Sequence, residues 1–439
     1  MRARRSAVRL LGALILTFAS LAEPRAEGPG LSRQNRALAR EMLDGVKTVV
    51  RHTYYDPAFH GIDISARFKA ADAMIERAPS LAHAYTIIAQ VLLGLGDSHT
   101  FFLPPARPTT YENGWNMHMV GNDCLVEAVD PSSDAAAKGL RPGDRVLRME
   151  NFVPSRSELW KLQYAYSSLG PRPALTVVVQ SPGAPSRRLE LAARVTRGPS
   201  TVAIDLADSV NIQNEAARRL RILTDRTARL GPVTVWKLAS FEIPPEDIDR
   251  AADDALRGAD SLILDLRGNS GGRISALERL AGRFVDRDIT IANRLGRQPM
   301  KPLIARARKG AFSGRMAVLI DAASASASEL LARTLQLEKR AVVIGDRSAG
   351  SVREARMVPL LLQKGPALIT YFTSVTDADL VMGDGQSIEG VGVEPDIPLL
   401  PTADDLAHAR DPVLARAAAI LGAPLDPLSA GALFPVQWR

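Results

Sequence analysis

Cysteine is nearly absent: Cys124 is the only one in 439 residues. A single thiol excludes an internal disulfide and every metal site built from several cysteines. Cys124 lies in the alternating run "CLVEAV", where it reads as buried strand filler. Histidine is scarce too, with six residues. His52, His60, His83 and His408 fall in helical segments or their connections and His118 in a strand, none at metal-ligand spacing from a cysteine or a second histidine. No metal and no cofactor are therefore expected. The apolar run from Leu10 to Leu21 is too short for a stable membrane span. It follows an Arg-rich start and precedes the small Ala22, so residues 1–22 read as a secretory signal and the mature protein as exported, periplasmic or secreted. Arg4-Arg5 followed by Ser6-Ala7 fits a twin-arginine leader poorly. Arg2, Arg4, Arg5 and Arg9 would leave with the signal, reducing the formal charge from +7 to near +3, and no nucleic-acid partner is implied.

With 46% hydrophobic and 23% charged residues, the chain is long enough for two or three domains with proper cores. Residues 23–107 carry apolar positions at three- and four-residue spacing, predicting helices that end near Leu95, and "LPPARP" marks a boundary. Residues 108–199 change to short alternating strands around "DPSSDAAAKGLRPGDRVLRMENFVP". This segment resembles a PDZ domain, and the resemblance implies capture of a peptide end by backbone N–H groups of the loop Gly114, Trp115, Asn116 and Met117. Trp115 and Asn116 stand there in place of the usual smaller residues. Residues 200–400 alternate strands ("VTVWKLASF", "SLILDLRG", "MAVLIDA") with helices ("PPEDIDRAADDALRG", "ISALERLAGRF", "SELLARTLQ"), which predicts an α/β core. Residues 401–439 form a tail in which "DDLAHARDPVLARAAAILG" reads as one amphipathic helix of no evident chemistry.

Four short motifs stand out from this framework. In "LIDAASASASELL" a strand gives way to Ser324, Ser326 and Ser328 and then to a helix. A serine on such a junction has the unpaired first N–H groups of the helix beside it, while helix capping is the ordinary role, one that suits Ser328 with Glu329. In "LILDLRGNSGG" a buried strand runs into Asp265, Arg267 and glycines, which are needed where N–H groups must face a developing oxyanion unobstructed. No Lys-Ser or Lys-Thr pair follows Gly272, against a phosphate loop. "LGDSHTFF" presents Asp97, Ser98 and His99 on a loop, outside any apolar periodicity. "DGQSIEGVGVEPDI" places Glu389 beside a glycine-rich turn, where a solvated acid is the default.

In this order, with the insert between them, "GDSHT", "DLRGNSGG", "SASASE", "VVIG" and "GVGVEPDI" resemble peptidase family S41 over about residues 35–420. That group includes the tail-specific or C-terminal processing peptidases and the tricorn protease core. The resemblance implies a ClpP/crotonase-like spiral core with Ser326 as nucleophile. It also implies an oxyanion hole from the N–H of Ala327 and of a glycine in the pair Gly271 and Gly272. The processing branch uses a Ser-Lys dyad, yet its lysine position falls on Ser351 here, and Arg347 and Arg353 cannot substitute because guanidinium keeps its proton. The tricorn branch implies instead that His99 is the base, with Ser98 and Glu389 orienting it or polarising the site. The expected protein is thus an exported serine peptidase acting on proteins or peptides, with possible recognition of their C-terminal ends. The alternative is an S41-like protein that binds peptides or other ligands without cleaving them.

Overall fold

The computed structural model describes residues 30–197, 226–364 and 367–436. The signal-peptide reading of residues 1–22 lies outside them. The first helices, Arg33–Thr53, Ile64–Glu76 and Leu81–Leu93, begin at Ser32, Asp63 and Ser80, whose side chains accept backbone N–H groups of the first turn. Their apolar faces close over Phe102, Tyr371 and Val375 from a neighbouring sheet, so the helical region and that sheet share one core. The third helix ends at Leu93 and the chain turns through Gly96 at φ 69°. It then runs through Asp97 to Thr100 into the strand Phe101–Leu103, which pairs antiparallel with Phe372–Ser374.

Residues Thr109–Glu112 and Arg194–Arg197 pair as a two-stranded stem. Between them lies a five-stranded antiparallel sheet with strands in chain order, from Trp115–Val120 to Ser186–Ala192. Its core holds Met117, Val126, Val146, Leu162 and Val177, together with Cys124 at 3% exposure. Ala322, just before the serine-rich turn, packs against this core.

The central sheet has six strands in the order Ile397–Pro398, Val342–Gly345, Arg315–Ile320, Ser261–Asp265, Val233–Lys237 and Arg226–Leu230. All neighbours are parallel except the last pair. The inner strands are covered on both faces and so are largely apolar, whereas the edge strand Arg226–Leu230 is half exposed. Leu262, Leu264, Met316 and Val318 face the helices Pro245–Leu256, Ile274–Ala281 and Ala327–Leu337. Ile263, Ala317 and Leu319 face the C-terminal helix Pro412–Ile420.

Two features differ from the sequence expectation. The tail is three short helices, Ala403–Ala407, Pro412–Ile420 and Pro427–Ala432, rather than one continuous helix through residue 422. The break falls at Asp411-Pro412, where proline takes the first helical turn and Asp411 caps it. In addition, a long hairpin, Glu354–Lys364 with Ala367–Met382, joins the second sheet, and its partners are too distant in sequence for local periodicity to reveal. No helix among the described residues is long and apolar enough to cross a membrane.

Candidate active site

The serine-rich junction separates its three serines by burial and bonding. Ser324 is fully buried, and its Oγ bonds Leu266 O at 2.9 Å and Asp321 Oδ1 at 3.1 Å. Ser328 is fully buried as well, with its Oγ donating to Asn269 O at 2.9 Å. Both hydroxyls tie the turn to the loop following the strand Ser261–Asp265. Ser326 alone is partly exposed, at φ 55° and ψ −119°, immediately before the helix Ala327–Leu337. A β-carbon in this left-handed region is strained, as on other sharp strand-to-helix turns that lift a side chain clear of the backbone.

The turn is held by Glu329, a residue the sequence reading placed only as a cap partner. Its Oε1 accepts from Ser348 Oγ at 2.6 Å and Gly350 N at 2.7 Å, and its Oε2 from Ser351 N at 2.9 Å and Ser326 N at 3.0 Å. Burial pushes this carboxyl up to about 7, against four donors that favour its ionised form. Ser326 N also bonds Ser351 O at 2.7 Å, so the residue at the expected lysine position supports the junction through its backbone.

The glycine-rich loop approaches from the other side. A β-carbon on Gly271 would lie 2.7 Å from Ser326 Cβ and 2.9 Å from Ala327 N, so only glycine fits there. The N–H of Gly271 is committed to Asn269 Oδ1 at 2.9 Å. Gly271 O and Arg273 N bond Phe241, a parallel bridge that turns the N–H of Gly272 away from Phe241. Gly272 N and Ala327 N, the latter at the first position of its helix, have no protein acceptor among the described residues. Asp265 and Arg267, one strand end away, are structural. Arg267 forms paired bonds to Asp265 and to Asp411 of the tail, locking the C-terminal helices onto the sheet.

Ser98, His99 and Glu389 come together although 290 residues separate the last two. Ser98 Oγ lies 3.0 Å from Glu389 Oε2 and 2.8 Å from His99 Nδ1, and Ser98 N donates to Glu389 Oε1 at 3.2 Å. A carboxylate only accepts and a hydroxyl has one proton, so Ser98 donates to Glu389 and His99 Nδ1–H must donate to Ser98. This leaves the lone pair on Nε2. Burial lowers the His99 pKa most, Glu389 and Asp97 oppose the shift, and the net direction is downward, toward the neutral imidazole. Val352 N donates to Glu389 Oε2 at 2.8 Å, so residues 351 and 352 touch both the serine turn and the histidine cluster. Ser326 Oγ and His99 make no hydrogen bond with each other.

Residues 233–399 match the family model of Peptidase family S41. The chain carries a peptidase S41 domain. The match includes the serine-rich turn, the glycine loop and Glu389, and leaves Ser98 and His99 outside its N-terminal limit. Carboxyl-terminal-processing peptidase 1, chloroplastic, of Arabidopsis thaliana is 27% identical over 354 residues, 76% of this chain and 66% of its own length. The tail-specific protease of Haemophilus influenzae is 23% identical over 334 residues, 72% of this chain and 46% of its own length. Mature CPAF superposes with a TM-score of 0.63 at 15% identity, covering 85% of this chain and 94% of that one. The S41 domain of this chain therefore sits in the mixed α/β fold of the S41 proteases, as the sequence pattern implied.

Outside residues 233–399, the predicted residues Gly114 to Met117 make no hydrogen bond to the serine turn, although Ala322 beside that turn packs on the same core as Met117. Gly114 is at φ 68° and its O accepts from Asp130 N at 2.8 Å, while Asn116 Nδ2 bonds Glu127 Oε2 at 3.1 Å. Met117 is buried and its carbonyl is taken by Gln163 Nε2 at 3.2 Å. Trp115 Nε1 is buried without a hydrogen-bond partner. His118 pairs with Glu127, His60 with Tyr54 and Tyr55, and His52 and His408 with carbonyls one helical turn back. Asn269, Glu329 and Ser348 were missed because most of what they hold lies far off in sequence; the local signals were Glu329 three residues after Ser326 and Asn269 two residues before Gly271.

Proposed function

We propose that the protein is an exported serine peptidase that hydrolyses protein or peptide substrates through an acyl-enzyme on Ser326, with His99 as base in place of the lysine of the processing branch. The observation that carries this reading is the Ser98 bridge, which commits the hydroxyl proton to Glu389 and leaves His99 Nε2 free to accept. His99 Nε2 takes the Ser326 proton as Oγ attacks the peptide carbonyl, which requires the two side chains to close up on substrate binding. The tetrahedral oxyanion is received by the N–H groups of Gly272 and Ala327, with Gly271 supplying the close approach rather than a donor. His99 returns its proton to the leaving amine, and water activated by the same imidazole then releases the acid from Ser326.

The segment 108–199 is assigned as a PDZ-like insert that selects substrate, residues 200–400 as the peptidase core and 401–439 as its helical tail. Residues 1–22 are assigned as the export signal. The names of the two relatives, a carboxyl-terminal-processing peptidase and a tail-specific protease, favour protein substrates engaged through their C-terminal ends. The missing hydrogen bond between Ser326 and His99 favours the second reading, a protein that binds peptides without cleaving them. Labelling the purified mature chain with a fluorophosphonate and mapping the adduct separates the two. Adduct on Ser326, absent from Ser326→Ala, supports the peptidase; a folded chain that takes no label would sink it.

A further inference from the structure

The loop that carries His99 is tied to a largely buried charge pair that the mechanism above does not use. Asp97 is 2% exposed, and its Oδ1 accepts from His99 N at 2.8 Å, Thr100 N at 3.1 Å and Thr376 Oγ1 at 2.7 Å. These bonds set the backbone of the loop that presents the imidazole. The other oxygen, Oδ2, faces Arg353 Nη1 at 3.2 Å. The Arg353 side chain is 13% exposed, lies 5.1 Å over the Tyr55 ring, and has Asp379 Oδ1 at 3.7 Å from its Nε. Arg353 directly follows Val352, whose N–H bonds Glu389, and Ser351, whose carbonyl holds Ser326 N. Three consecutive residues thus reach the nucleophile turn, the Ser98-Glu389 bridge and the histidine loop.

We propose that Arg353 is a positioning residue that holds the His99 loop through Asp97 and sets the charge environment in which His99 acts as the base. The inference rests on the peptidase reading for the role of His99, not for the ion pair. It gives a role to the cation that stands two residues beyond the position where the resemblance expects a lysine. A guanidinium cannot accept the serine proton, but its charge beside Asp97 opposes the two carboxylates, Asp97 and Glu389, that would otherwise favour imidazolium. The charged and titratable groups packed around the pair are Asp97, Glu389, Asp379, Tyr54, Tyr55 and His99. Burial pushes the Tyr55 phenol up to about 12 and that of Tyr54 higher, so both stay neutral at working pH. Burial works against the charge on Arg353, but Asp97 and Glu389 outweigh it and raise its pKa further.

The test is to titrate the histidine ring signals of the purified mature chain by NMR, with the His99 resonance assigned through His99→Gln. Wild type is compared with Arg353→Met and Arg353→Lys, each first checked for wild-type far-ultraviolet circular dichroism and a cooperative melt. Arg353→Met should raise the His99 midpoint by about half a unit or more. Arg353→Lys should restore it toward wild type. Fluorophosphonate labelling across the same pH range should move its acid limb by the same amount. An unmoved His99 midpoint in a folded Arg353→Met variant overturns the proposal, even if labelling slows equally at every pH, because that is what loss of local packing alone would produce. If wild type takes no label while the His99 midpoint still moves with Arg353→Met, the peptidase reading fails and the electrostatic role of Arg353 stands.

Discussion

Replacing Gly271 with alanine probes the close approach between the glycine loop and the serine turn. The new β-carbon would lie 2.7 Å from Ser326 Cβ, 2.8 Å from Ala325 O and 2.9 Å from Ala327 N. The last two are backbone atoms and cannot rotate aside, so either the loop or the turn must shift. Gly271 is at φ 94°, a conformation that costs a side-chain-bearing residue about 1–2 kcal/mol. The overpacking adds about 1–3 kcal/mol. Gly268→Ala is the matched control, because Gly268 is also at positive φ, 75°, but faces open space. Urea denaturation should therefore give about 1–2 kcal/mol of destabilisation for Gly268→Ala and about 2–5 kcal/mol for Gly271→Ala. If the extra strain is relieved by displacing Ser326, fluorophosphonate labelling of folded Gly271→Ala should fall about 10- to 100-fold below that of Gly268→Ala. Equal labelling rates in the two folded variants would refute the claim that the glycine loop and the serine turn form one reacting surface.

The lowered pKa of His99 gives a signed pH dependence, because the base must be unprotonated: labelling of wild type should persist below the usual histidine midpoint of about 6.5 and fall only at more acid pH. Ser98→Ala, which removes the acceptor of His99 Nδ1–H and the link to Glu389, should slow labelling about tenfold or more at the alkaline plateau; an unchanged rate would remove Ser98 from the mechanism. Glu329 has its folded-state pKa raised to about 7, so its contribution to stability is complete below about pH 4.5 and is lost as pH rises through about 7. The stability of wild type relative to Glu329→Gln, followed by urea denaturation, should therefore decline by up to about 3 kcal/mol across that window, and a pH-independent difference would contradict it.

Much of the arrangement was determined by local sequence. The strands around Ile263 and Val318 are buried on both faces and so are written as unbroken apolar runs, which marks the α/β core without any knowledge of its partners. Positive-φ glycines, helix caps and the proline at residue 412 are short-range constraints, and although the tail was read as one helix, Asp411-Pro412 carried the signal for its break. The motifs "GDSHT" and "SASASE" point to chemistry because polar and small residues interrupt the apolar pattern at element ends; of the two, only "SASASE" opens a helix, where the first backbone N–H groups lack intrahelical partners.

Tertiary structure decided the rest, because hydrogen bonds between distant segments leave no period in the sequence. Locally, Ser326 differs from Ser324 and Ser328 only in having Glu329 three residues on, the spacing of a cap, which does not say which hydroxyl stays free. The distinction arises when the latter two bury their hydroxyls against Leu266 and Asn269, leaving Ser326 alone at the surface. Likewise, Gly271 and Gly272 are adjacent and identical until the Asn269 side chain takes one N–H and the bridge to Phe241 turns the other outward. The pairing of Ser98 with Glu389 and of Asp97 with Arg353 depends on a second sheet bringing residues 97–100 against residues 351–389, a placement paid for by the shared core of Phe102, Tyr371 and Val375. The chain specifies which groups are available; only their burial and mutual satisfaction decide which one is left free to react.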